Sequence, residues 1–217
     1  VQVEAGDGKT KDTWVWGGES GAKGLYQQGD AKRGEFNLLQ AWIMYNPGPI
    51  GIKVGHMPLA LGNKLFFEHT KFGDDAIVLF AQPNPATHVA LLTAKFREGN
   101  TGINDDANAY VLLARYKNSV FKIGGDVTYV DDQQPSLAGF TGYDAIHLWN
   151  IGLRGDINLN ALVLRGDVEL QTGKFVVPGG NDLDIKGYAL LAGLDYKIAN
   201  STLTAEFAYG SGDDNAA

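Results

Sequence analysis

The stretch Tyr110-Val-Leu-Leu-Ala-Arg-Tyr116, followed closely by Phe121-Lys-Ile-Gly-Gly-Asp-Val-Thr-Tyr129, decides the fold class of this chain. Both segments are rich in β-branched, aromatic and aliphatic residues, and the second alternates polar and apolar side chains with a period of two. The connection Lys117-Asn-Ser119 between them is short, whereas the following connection, 131–143, is long, polar and contains glycine. The pair therefore predicts an antiparallel hairpin whose strands each separate two different environments.

The same pattern extends along most of the chain. It predicts about ten strands, at 35–46, 50–58, 76–82, 87–97, 108–117, 119–131, 144–157, 159–172, 185–198 and 201–210. Short connections alternate strictly with long ones, and the long ones are 59–75, 98–107, 132–143 and 173–184. Short turns on one rim and long loops on the other are typical of an all-β, antiparallel up-and-down transmembrane β-barrel.

The two ends of the chain complete this interpretation. Segment 1–34 is polar and glycine-rich, and we expect it to be mostly external loop, with a small hairpin at 13–16. Segment 211–217 follows a strand that should run outward, so it should also be external. We expect residues 1–217 to form a single β-barrel domain that is a fragment of a larger barrel.

Composition narrows the function classes. The net charge of −7 argues against a nucleic-acid partner, and the absence of cysteine excludes disulfides and thiolate metal sites. No apolar run approaches the roughly 18 residues of a membrane helix. There is no Gly-x-Ser-x-Gly sequence and no convincing Ser/His/Asp set, so we expect no enzyme activity, no catalytic residue and no cofactor.

The two faces of each predicted strand admit two explanations. In a soluble sheet the apolar face forms the core, whereas in a membrane barrel it meets lipid and the charged face lines a wet lumen. Aromatic residues near the strand ends favour the barrel, since they resemble the girdles at membrane interfaces; they are Tyr110, Tyr116, Tyr129, Tyr188, Tyr196 and Tyr209. A soluble ligand-binding β-barrel remains the weaker alternative.

Two adjacent segments carry a family resemblance. Phe36-Asn-Leu-Leu-Gln-Ala-Trp-Ile-Met-Tyr45 and Gly51-Ile-Lys-Val-Gly-His-Met-Pro-Leu-Ala-Leu-Gly-Asn63, continued by 66–77, resemble a stretch of bacterial outer-membrane porins, including the alginate-export-like group. The resemblance implies a channel of about 14 to 18 strands in the bacterial outer membrane. The sequence departs from that pattern at His56, where many relatives carry arginine.

Charged residues on the polar faces are the candidate lumen and selectivity residues. They are Lys53, Lys95, Arg97, Arg115, Lys122, Asp126, Arg154, Asp156, Arg165, Asp167 and Glu169. Basic groups outnumber acidic ones on these faces, which predicts a mildly basic wall and a weak preference for anions. The alternative is that these residues pair across strands and hold the wall together.

Other polar clusters carry less chemistry. His56 and His69 do not have the spacing of a compact metal site, so no metal site is expected. The acidic pairs at 74–75, 105–106, 131–132 and 213–214 are predicted to lie in loops, either as solvated turn residues or as ligands for calcium or for cations that bridge lipopolysaccharide.

The sequence thus predicts an outer-membrane porin for passive diffusion of small hydrophilic solutes, in contact with lipid and lipopolysaccharide. A different class of function fits the same pattern, namely a barrel that sheathes a periplasmic or multihaem electron-transfer partner.

Overall fold

Eleven strands make up the secondary structure of this chain in a computed structural model, which describes residues 2–5, 36–98, 105–135 and 139–212. The strands are β1 (Gln2–Ala5), β2 (Phe36–Tyr45), β3 (Ile50–Leu61), β4 (Phe67–Asn84), β5 (Thr87–Arg97), β6 (Ala107–Lys117), β7 (Phe121–Asp132), β8 (Ala145–Leu159), β9 (Leu162–Val176), β10 (Leu183–Ile198) and β11 (Ser201–Gly210). In the described part of the chain, no helix is long and apolar enough to span a membrane.

All eleven strands belong to one sheet. Each strand pairs antiparallel with its neighbours in sequence, in the order β1 to β11. β1 and β11 form the two edges, so the sheet is open in the part that the structure describes. The prediction of an all-β, antiparallel up-and-down fold is therefore confirmed.

The connections at the two edges of the sheet differ in length, as the sequence predicts. Consecutive antiparallel strands place alternate connections on the same edge. One edge carries the turns 46–49, 85–86, 118–120, 160–161 and 199–200, and the opposite edge carries the segments 62–66, 98–106, 133–144 and 177–182. We call these the short-turn edge and the long-loop edge.

The predicted loop 59–75 is wrong, because most of it is strand. β3 continues to Leu61 and β4 begins at Phe67, with Leu59 opposite His69 across the hairpin. The register shifts between Met57 and Leu59, so the end of the hairpin departs from the regular ladder. Polar residues here suggest a loop in the sequence, yet they continue the strand. We call residues 58–70 the hairpin tip.

The prediction for segment 1–34 also needs a correction. Gln2–Ala5 is a strand, β1, and it pairs with β2 from Gln40 to Phe36. This strand raises the expected number from about ten to eleven. The hairpin predicted at 13–16 lies outside the described residues.

The two faces of the sheet are opposite in character. Along β7 to β9, the aliphatic and aromatic residues are exposed, among them Phe121, Ile123, Ile151, Leu164 and Val168. Several of the intervening polar residues are buried, namely Asp126, Thr128, Asn150, Asp167 and Glu169, and Asp167 is only 1% exposed. We call the face that carries the exposed apolar residues the exposed face, and the face that carries the buried polar residues the enclosed face. This is the reverse of a soluble antiparallel sheet, in which the apolar face is covered.

The apolar core lies on the enclosed face of β3 to β6. Its buried residues are Met57, Leu61, Ala76, Leu92, Ala94 and Val111. Aromatic rings from the hairpin tip pack against it, with the rings of Phe67 and Phe96 stacked at 4.8 Å. The hairpin tip therefore covers this half of the enclosed face.

Candidate functional site

A ladder of ion pairs runs across the enclosed face from β7 to β10. Lys122 Nζ lies 3.1 Å from Asp156 Oδ2, and Arg165 Nη2 lies 2.5 Å from Asp195 Oδ2. Arg154 pairs with Asp126 between them. Each pair joins adjacent strands, because residues of opposite charge stand beside each other in the antiparallel register. Three of the predicted basic lumen residues are thus matched by carboxylates, as the pairing alternative expects.

Arg154 stands at the centre of a buried acidic cluster formed by Asp126, Asp167 and Glu169. Besides its bond to Asp126, its Nε lies 3.9 Å from Asp167 Oδ2 and its Nη2 lies 3.8 Å from Glu169 Oε1. The side chains of the three acids are at most 1% exposed. One guanidinium therefore faces three carboxyl groups that are almost fully buried. Because water hardly reaches them, the positive charge of Arg154 is needed to compensate their negative charge.

Neutral side chains add hydrogen bonds to this acidic cluster. Asn150 Nδ2 donates to Glu169 Oε2 at 2.6 Å, and Thr128 Oγ1 donates to Asp126 Oδ2 at 3.2 Å. Alternation along β7, β8 and β9 brings all these residues to one face. Asn150 is fully buried, and it shows that the cluster is organised by amide and hydroxyl groups as well as by charge.

The hairpin tip contacts this acidic cluster from the other side of the enclosed face. The backbone N–H of Asn63 donates to Asp167 Oδ2 at 2.6 Å. β4 and β9 are five strand spacings apart, which is about 24 Å along the sheet. The hairpin tip therefore crosses the enclosed face and meets its charged half.

Gly62 makes this close approach possible. Its φ is +66°, and a Cβ atom there would lie 2.6 Å from Glu169 Oε1 and 3.0 Å from Asp167 Oδ2. A glycine removes both the steric conflict and the strain of a left-handed backbone. The motif Leu-Gly-Asn is part of the stretch that carries the family resemblance, but nothing in the sequence indicates which strands it contacts.

A cavity of about 430 Å³ remains between the hairpin tip and the wall of β3 to β7. Its lining is mostly apolar and includes Met57, Leu59, Phe66, Leu92 and Val111. Lys53, His88 and Arg115 also line it. Sequence reasoning missed this cavity because it assigned the apolar residues of these strands to a single, lipid-facing side.

Lys53 and Arg115 differ from the other predicted lumen cations. Lys53 Nζ lies 4.3 Å from the ring centre of Trp42, a cation–π contact. Neither cation has a carboxylate partner among the residues that the structure describes. Both are therefore available to an anion on the enclosed face.

Arg97 and Lys95 do not share a face, although alternation predicts that they do. The register shifts between them, and Arg97 reaches Asp132 Oδ1 at 2.5 Å and the carbonyl oxygen of Gln134 at 2.7 Å. Lys95 lies on the same face as the exposed Leu91 and pairs with Asp106 at 2.9 Å. The prediction that Lys95 faces the lumen is corrected here, because regular alternation along β5 places Lys95 on the exposed face, and the register shift moves only Arg97 to the enclosed face.

Three histidines contact carboxylates of the acidic pairs. Asp74, Asp75, Asp131 and Asp132 lie in strands, and not in the predicted loops. The pairs are His56–Asp75 at 2.9 Å, His69–Asp74 at 3.0 Å and His147–Asp131 at 3.0 Å. Within the described ranges, no group of three such side chains is arranged to hold a metal ion. Asp213 and Asp214 lie outside the described residues.

Comparison with protein-family models and curated proteins identifies no relative of this chain. No protein-family model matches the chain, and no curated protein matches it significantly.

Proposed function

We propose that this sheet is part of the wall of an outer-membrane β-barrel channel for small hydrophilic solutes. The observation that carries the proposal is the reversal of the two faces. Residues such as Leu153, Leu170 and Phe207 are more than half exposed, whereas Asp126 and Glu169 are buried. Exposed apolar area on this scale needs an apolar partner, and lipid around a barrel supplies one.

Aromatic residues frame the exposed apolar face at both edges. Toward the long-loop edge, Tyr129 contacts Tyr110 at 6.4 Å and Trp149 at 4.8 Å between ring centres. Toward the short-turn edge, Tyr116 and Phe121 are 5.8 Å apart. The two rows are about 20–27 Å apart along the strands, similar to the height of the apolar band of membrane barrels.

Polar pairs lie beyond the aromatic row at the long-loop edge. His147 pairs with Asp131, and Lys95 pairs with Asp106, on the same side of the sheet as Leu91 and Trp149. Charged groups at this level fit the head-group region of a membrane, where water and lipid phosphates are available.

A lipid refolding assay tests the exposed face. Val168 lies between Leu153 and Leu190 on the exposed face, midway between the aromatic rows. Val168→Arg should lower the free energy of unfolding in lipid by about 2–4 kcal/mol, as arginine does near the middle of a bilayer. Glu206→Arg, a charge change at an exposed position on the polar face of β11, is the control and should have a much smaller effect. Equal losses would contradict the membrane proposal.

Conductance in planar bilayers tests the channel itself. Lys53 and Arg115 have no carboxylate partner among the described residues, so the predicted anion preference should depend on these two cations. Arg115→Gln should shift the reversal potential in a salt gradient toward cations, and low salt should enlarge the shift, since the Debye length is about 10 Å at 0.1 M. Lys122→Gln, at an exposed ion pair, is the matched control. A purified protein that inserts but never conducts would favour the sheath for a partner protein.

A further inference from the structure

The cavity between the hairpin tip and the wall combines an apolar interior with two cations, Lys53 and Arg115, that have no carboxylate partner in the described part of the chain. Met57 is fully buried at its lining, and Ala90 and Ala94 are each 2% exposed. A volume of about 430 Å³ is within the usual range for small-molecule sites. The lining is therefore suited to a flexible or flat apolar group of moderate size.

The polar groups of this cavity lie near its short-turn side. His88 stands opposite Arg115 in the β5–β6 ladder, and Lys53 comes from β3. Asn46 and Gln82, next to the short turns, also line the cavity. Since the apolar lining extends toward the hairpin tip, the cavity has one apolar end and one cationic end.

His88 provides a second indication that this cavity binds a ligand. Its ring is stacked on Phe80 at 5.9 Å with 9° between the planes, which fixes its orientation. Its Nδ1 atom is buried and has no hydrogen-bond partner among the described residues. A buried polar atom without a partner is unfavourable, and a ligand oxygen could satisfy it.

We infer that this cavity binds an amphiphilic anion, a monocarboxylate with an apolar body, with its carboxylate beside Lys53, His88 and Arg115. The apolar body would lie against Met57, Leu92 and Val111. Charge complementarity selects the anion, because neither Lys53 nor Arg115 has a carboxylate partner within the described ranges. A neutral or cationic amphiphile would satisfy the apolar lining and leave the cations unmatched.

This inference goes beyond the proposed channel, and its test is independent of conduction. Decanoate binding is measured by calorimetry on the full chain held in amphipol, so that no free detergent competes. We expect decanoate to bind at least about tenfold more tightly than decyltrimethylammonium, which has the same tail and the opposite charge. Acetate, which has the head group without the tail, should bind more weakly than decanoate by a larger factor.

Variants then locate the site. Lys53→Gln and Arg115→Gln should each weaken decanoate binding about tenfold, whereas Lys122→Gln, on the same face but already paired with Asp156, should leave it unchanged. The ligand series on the unaltered protein remains decisive if a variant fails to fold. Absence of decanoate binding, equal binding of the cationic amphiphile, equal binding of acetate, or indifference to both substitutions would each overturn the inference.

Discussion

The two halves of the enclosed face are buried in different ways. On β3 to β6 the face is covered by the hairpin tip and packs through Met57, Leu92 and Val111. On β7 to β10 it carries ion pairs around Arg154, whose acidic partners are almost fully buried. One sheet with a single alternation of side chains therefore supports both an apolar core and a charged wall.

The difference follows from what each half meets. The apolar half meets the hydrophobic side chains of the hairpin tip, and close packing there stabilises through burial of apolar area. The charged half meets the backbone of the hairpin tip at Asn63, and its carboxylates are also held by a guanidinium and an amide. Substitutions should therefore have different costs in the two halves.

Arg154→Met should have the largest effect on stability. It leaves Asp126, Asp167 and Glu169 without their shared cation, and removing one partner of a buried pair costs about 3–5 kcal/mol. Urea unfolding of the protein in lipid measures the loss. Arg165→Met is the control, because the side chains of Arg165 and Asp195 are each 26% exposed, and we expect its cost to be smaller. Equal losses would show that the acidic cluster does not depend on Arg154.

Met57→Ala should have the next largest effect, in the apolar half. Met57 is fully buried beneath the hairpin tip, and truncation of such a side chain costs about 2–5 kcal/mol. The loss should be at the lower end of this range, because the existing cavity lets neighbours relax. Leu79→Ala, on the exposed face, provides the comparison in the same unfolding assay and should cost less. A greater loss for Leu79 would mean that the apolar half contributes little.

Gly62→Ala tests the contact that joins the two halves and should have the smallest effect on stability. The left-handed backbone strain of alanine costs about 1–2 kcal/mol. Gly179→Ala is a matched control, since its φ is +64° and no atom lies within 4 Å of the new Cβ. The Gly62 variant should lose more stability than the Gly179 variant, because only its new Cβ also meets carboxylate oxygens. Only the Gly62 variant should displace the hairpin tip and raise single-channel conductance. Equal conductance in both would contradict the placement of the hairpin tip across the enclosed face, inside the proposed channel.

The sequence predicts the strands from β5 to β11 closely because their alternation is regular. Thr87–Arg97 and Ser201–Gly210 have the bounds that alternation predicts. The loop 59–75 is mispredicted because Glu68, His69 and Asp74 are polar, and in this sheet polar residues also occupy strands. A pattern of polarity cannot distinguish a wet loop from a strand whose polar side is enclosed.

The candidate site is only half predictable for a related reason. Alternation identifies Asp126, Arg154 and Asp167 as members of one face, and their register makes them neighbours. To predict the apolar half, a further signal in the sequence is needed. It is present in the adjacent Leu91 and Leu92, because a strand that is apolar on both faces is covered on both. The contact between Asn63 and Asp167 has no such signal, because it depends on how far the hairpin tip extends across the sheet.

That contact also has a consequence for the order of folding. Every strand pairs with its neighbour in sequence, so the sheet can grow one hairpin at a time with short loops to close. Asn63 and Asp167 are 104 residues apart, and their hydrogen bond requires β9 to be in place. We therefore expect strand pairing to precede docking of the hairpin tip, so that the interior becomes fully covered only in the last stage of folding.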